Sequence, residues 1–130
     1  MLKKTITFID YFGVERTEDH YFNLSKPEIV KMQASVKGGY DVRLKGIASE
    51  LNGANIMEFF EDLIVRSYGV KSEDGRRFMK SEEISRAFME TPAYEVLFEE
   101  LVTDDQAASD FVNAIMSHDV SKKALEAVNN

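Results

Sequence analysis

The chain has 130 residues, 44% of them hydrophobic and 30% charged, a balance that supports a packed core and excludes wholesale disorder. Its net charge of −7 argues against nucleic acid as the main partner, because binding a phosphate backbone needs clustered Lys and Arg. Cysteine is absent, which removes disulfides, thiolate nucleophiles and cysteine metal sites and fits a reducing cytoplasm.

The length fits a single domain over 1–130, divided into a hairpin at 1–24, a helical body at 25–117 and a frayed or mobile tail at 118–130. In the first segment Thr5, Thr7 and Ile9 alternate with Ile6 and Phe8, which predicts a strand. This N-terminal run is too polar for a signal-peptide core. A turn over 10–13 leads to a second, more polar strand over 14–24. A two-stranded hairpin is marginal in water, so this one must pack on helices or pair with another copy.

Ser25, Pro27 and Glu28 form a helix start, with Ser25 and Glu28 as a capping box. That helix carries Ile29, Val30 and Met32 and ends before Gly38 and Gly39; a second is predicted over 40–51. The third is the clearest, with Ile56, Phe59, Phe60, Leu63 and Ile64 at helical spacing up to Tyr68 and Gly69. Asp74-Gly75 then suits a tight turn whose flanks form either a very short hairpin or an ordered loop.

Ser81 caps a helix carrying Ile84 and Phe88, and Thr91-Pro92 opens one with Tyr94, Leu97, Phe98, Leu101 and Val102 on a stripe. Thr103 to Gln106 reads as a second capping box, ahead of Ala107, Ala108, Phe111, Val112, Ile115 and Met116. The expected fold class is therefore α+β: mainly α, an N-terminal β-hairpin with a compact bundle of about five or six short amphipathic helices. No apolar run approaches the roughly 18 residues that span a membrane, so no membrane role is expected.

No catalytic, cofactor or metal site emerges. His20 and His118 lack the neighbours a zinc site needs and read as surface histidines. Glu82-Glu83 and Glu99-Glu100 are adjacent on helices, pointing roughly 100° apart, and fit solvated faces better than a converging acid–base pair. Gly38-Gly39 lacks the residues of a phosphate loop. A non-enzymatic protein that binds other proteins is the expectation.

Two features suggest how. Short amphipathic helices in so small a chain leave aromatic surface to spare, suited to a partner helix or to self-association. The cluster Arg76-Arg77, flanked by Lys71, Lys80 and Arg86, is either a solvated turn paired with Glu73, Asp74, Glu82 and Glu83, or a recognition patch. The residues alone leave both readings open. The candidate protein-binding residues are Arg76, Arg77, Phe78, Tyr68, Phe59, Tyr94 and Phe98.

The segment Ser67, Tyr68, Gly69, Lys71, Ser72, Asp74, Gly75, Arg76, Arg77, Phe78, Lys80, Ser81 and Glu83 resembles the tail assembly chaperones of long-tailed phages and prophages of Gram-positive bacteria. So do Thr5 to Phe8 with Asp10 and Tyr11, Gly13 to Arg16, and Phe22 to Lys26. Phe88, Thr91, Ala93, Tyr94, Leu97, Phe98, Leu101 and Phe111 to Asn113 match the later helices of that group. The resemblance implies a protein of the host cytoplasm, missing from the mature virion. It would coat the tape measure protein, associate with itself and help recruit major tail tube subunits. The rival expectation is a structural virion component, such as a head–tail joining or tail completion protein.

Overall fold

The computed structural model describes residues 1–35 and 53–116. The helix predicted over 40–51, the Gly38-Gly39 pair and the segment 117–130 with His118 lie outside the described residues.

Strands β1 (Leu2–Ile9) and β2 (Glu15–Phe22) pair antiparallel from Leu2↔Phe22 to Ile9↔Glu15. Alternation along β1 sorts the two faces: Ile6 and Phe8 are buried, while Thr5, Thr7 and Ile9 face solvent. Across the open face the Thr5 hydroxyl donates to Asp19 Oδ1 at 2.6 Å, and the Thr7 and Thr17 hydroxyls sit 2.9 Å apart.

The hairpin does not stand alone. Strand β3 (Tyr68–Lys71) pairs antiparallel with β2 through Tyr21↔Gly69 and Phe22↔Tyr68, and β4 (Phe78–Met79) pairs with β3. The result is one antiparallel sheet in the order β1-β2-β3-β4, and the flanks of Asp74-Gly75 are the short hairpin. Joining two hairpins side by side removes the marginality of either alone.

The helices of the described residues are α1 (Lys26–Ser35), α2 (Gly53–Ser67), α3 (Glu82–Met89), α4 (Pro92–Thr103) and α5 (Asp105–Met116). With the sheet they give the expected α+β class. Helix α4 packs on β1, α2 and α5.

The helix starts follow local chemistry. The Ser25 N–H donates to Glu28 Oε1 at 2.9 Å and the Glu28 N–H to Ser25 Oγ at 3.3 Å, a completed capping box. Ser81 Oγ accepts from the Ile84 N–H at 3.1 Å, and Thr91 Oγ1 from the Tyr94 N–H at 3.3 Å. The capping box read at Thr103 does not form. Thr103 is the last residue of α4 and donates back to the Glu99 carbonyl at 2.6 Å. Asp104 caps α5 instead, its Oδ1 accepting from the N–H groups of Gln106 and Ala107 at 3.0 and 3.1 Å. The Gln106 amide, which a box at Thr103 would have needed, reaches forward to Asp110 at 2.8 Å.

The core is centred on rings. Phe22 meets Tyr68, Phe88 and Phe111 edge-on, with centroids 5.5, 5.9 and 5.4 Å away. Tyr68 stacks on Phe88 at 4.1 Å. Such pairs contribute about 0.5–1.5 kcal/mol beyond their buried area. Two buried serines are satisfied by main chain: Ser67 Oγ donates to the Leu63 carbonyl at 2.6 Å and Ser85 Oγ to the Val65 carbonyl at 3.0 Å. The second bond ties α3 to the last turn of α2.

Candidate protein-binding surfaces

β1 is antiparallel to β2, β2 to β3 and β3 to β4, so the turns of both hairpins project from the same end of the sheet.

The first turn is rigid and apolar. The Gly13 N–H donates to the Asp10 carbonyl at 2.9 Å, with Gly13 at a φ of 81°, where a side chain is disfavoured. Asp10 Oδ1 accepts from the N–H groups of Phe12 and Val14, both at 2.9 Å, while its other oxygen pairs with Arg16 Nε. The Arg16 guanidinium, then the Val14 N–H, hold the Asp10 carboxyl below its usual range. This bracing serves residues that fold nothing. Phe12 is 91% exposed and Tyr11 79%, with Ile9 and Val14 exposed beside them. Sequence reasoning placed Tyr11 and Phe12 in the turn and Ile9 and Val14 on the strands, but counted none of the four among the binding candidates.

The second turn is built alike and carries positive charge. The Gly75 N–H donates to the Ser72 carbonyl at 2.9 Å, with Gly75 at φ 73°. Asp74 Oδ1 accepts from the Arg76 N–H at 3.0 Å and from the Ser72 hydroxyl at 2.7 Å, and those bonds lower its pKa. Of the cationic cluster, Lys71 lies 3.9 Å over the Tyr21 ring, and Lys80 is held by Glu28 and the Arg66 carbonyl. Arg76 and Arg77 are exposed and, among the described residues, neither guanidinium has a carboxylate partner. Phe78 is partly buried because β3 has a glycine beneath it: a Cβ on Gly69 would lie 2.5 Å from the Phe78 ring and 2.8 Å from the Met79 carbonyl.

The remaining aromatic candidates divide by depth. Phe59 is 1% exposed and packs edge-on against Phe60, so its ring belongs to the core. Tyr68 is half-buried in the ring stack with Phe88. Tyr94 and Phe98 stack at 5.6 Å along α4 and remain partly exposed, a short aromatic ridge at the edge of the core.

Between the β1–β2 turn and the α3–α4 junction runs a groove of about 350 Å³, walled by Phe8, Tyr11, Phe12, Pro92 and Ala93 and edged by Glu18 and Glu90. His20, read from sequence as a surface residue, is half-buried in its wall, 5.0 Å from the Phe88 ring. Its Nε2 is enclosed and has no hydrogen-bond partner among the described residues. Burial lowers its pKa against the opposing pull of Glu18 and Asp19, which favours the neutral ring. The charged groups of the groove are Glu18 and Glu90 together with Asp10 and Arg16, which pair with each other and leave the two glutamates in excess.

Among the described residues no group of three or more His, Cys, Asp or Glu is placed to hold a metal ion, and no helix is long and apolar enough to cross a membrane. What the surface offers is ordered aromatic and charged contact area. Compared with known families, the chain matches the phage tail assembly chaperones over residues 1–130. It belongs to that family. No curated protein and no solved structure matches the chain.

Proposed function

We propose that this chaperone binds and solubilises the tape measure protein, associates with itself along that protein, and helps recruit major tail tube subunits. It acts in the host bacterial cytoplasm without catalysis and is left out of the mature virion. The observation that carries this reading is the family match across the whole chain. The surfaces are in keeping with it: the Tyr94–Phe98 ridge suits an amphipathic partner helix, and the two projecting turns suit neighbouring copies or tube subunits. A net charge of −7 keeps such a surface soluble.

Co-expression with the tape measure gene of the same phage tests it. The tape measure protein should move from the pellet to the soluble fraction and co-purify with the chaperone. A tape measure protein equally insoluble with and without it contradicts the proposal. Mass spectrometry of purified particles should find no copy of this chain; its presence there would point to a structural virion component.

A further inference from the structure

The two turns are complementary to each other. One presents a pair of exposed guanidiniums with no carboxylate partner among the described residues. The other overhangs a groove with aromatic walls, lined also by the Asp10–Arg16 ion pair and edged by Glu18 and Glu90, two carboxylates that make no ion pair among the described residues. Arginine suits such a groove on two counts: its planar fork bonds carboxylates in bidentate fashion, and its flat face stacks on aromatic rings. Both surfaces are also pre-ordered by their own turn hydrogen bonds, which lowers the entropy cost of docking.

We propose that Arg76 and Arg77 of one copy dock in the groove of a second copy, against Glu18 and Glu90 and under Tyr11 and Phe12. This rests on the self-association included in the proposed function and assigns it to two particular surfaces. The two patches differ but lie at the same end of the sheet. The contact can therefore close reciprocally about a two-fold axis or repeat from copy to copy.

A charge swap tests the contact on the full chain by sedimentation velocity over a concentration series at low salt. Wild type should associate. Arg76→Glu with Arg77→Glu, and separately Glu18→Lys with Glu90→Lys, should each weaken association by more than about tenfold, since each leaves charges unpaired or opposed. Both double variants should keep the wild-type circular dichroism spectrum and melting temperature. Mixed together, the two variants should associate again, because the acidic turn of one now meets the basic groove of the other. A wild type that stays monomeric overturns the proposal, as does a groove variant that associates like wild type. So does a folded pair of variants that fails to recombine. Tape measure solubility, measured separately with wild type, reports on the chaperone reading and does not depend on which surfaces join copies.

Discussion

The β1–β2 and β3–β4 turns use one backbone design for two chemistries. Each is closed by an N–H to carbonyl bond onto a glycine at positive φ, and each has an aspartate accepting main-chain N–H groups. One then displays Tyr11 and Phe12 over an acidic groove, and the other displays Arg76 and Arg77. The lesson is that rigidity is supplied by main chain, glycine and aspartate, leaving the outward side chains free to serve recognition. The hairpins differ in what lies beneath. The first is a long pairing whose inner side chains, Ile6 and Phe8, enter the core; the second is short and leans on Gly69 and Phe78.

Variants separate these roles, beginning with the largest effect. Phe22 sits where the two hairpins join and touches three rings, so Phe22→Ala should cost about 3–5 kcal/mol in chemical denaturation and loosen both. Gly69→Ala should act on the second hairpin alone. Its new methyl collides with Phe78 and the Met79 carbonyl, costing about 1–3 kcal/mol. Hydrogen exchange should quicken at Val70 and Met79 while the β1–β2 amides keep their protection. A uniform loss of protection would show that the two hairpins form one cooperative unit.

Gly13→Ala and Gly75→Ala meet no neighbouring atoms and differ from wild type only in the positive φ, so each should cost about 1–2 kcal/mol. Unequal costs would break the likeness of the two turns. The groove side carries a half-buried histidine. The folded-state pKa of His20 lies below its ordinary value of about 6.5, so the unfolded chain takes up the proton first. Stability should be intact above about pH 6.5 and should decline as pH falls below it toward the folded pKa. Asp10, Glu28 and Asp74, whose pKa values are lowered, withdraw their contributions only below about pH 4.5. For Glu28 burial pushes the other way, but the Lys80 ammonium and the Ser25 N–H outweigh it. Denaturation midpoints of His20→Phe should therefore be flatter than those of wild type between pH 5 and 7. The smallest change in stability belongs to the most exposed residues: Tyr11→Ser with Phe12→Ser should shift it by no more than about 0.5 kcal/mol.

What could be read in the sequence was local. The α2 stripe, the boxes at Ser25 and Glu28, the caps at Ser81 and Thr91, and the tight turn at Gly75 each depend on residues within a few positions. The second box failed at Thr103 because a neighbouring aspartate competed for the same N–H groups, a choice that composition does not decide. The four-stranded sheet was illegible because only two residue pairs, far apart in sequence, join β2 to β3. Among candidate surface residues, Arg76 and Arg77 stand out in sequence as charges and in structure as guanidiniums with no carboxylate partner among the described residues. Phe59 and Phe12 look alike in a list of aromatics, yet one packs in the core and the other faces water. The helical stripe around Phe59 and the turn over 10–13 already pointed to that difference, and the choice of Phe59 as a binding candidate went against its own stripe.

Under the proposed function, this chaperone keeps the aggregation-prone tape measure protein soluble by direct contact. Light scattering tests it most directly, following purified tape measure protein diluted from denaturant with increasing amounts of the chaperone. The account predicts that scattering falls as chaperone is added and reaches a floor at a fixed ratio, with several copies per tape measure chain. Scattering that is unchanged, or suppressed no better than by an equal mass of an unrelated acidic protein, would contradict it.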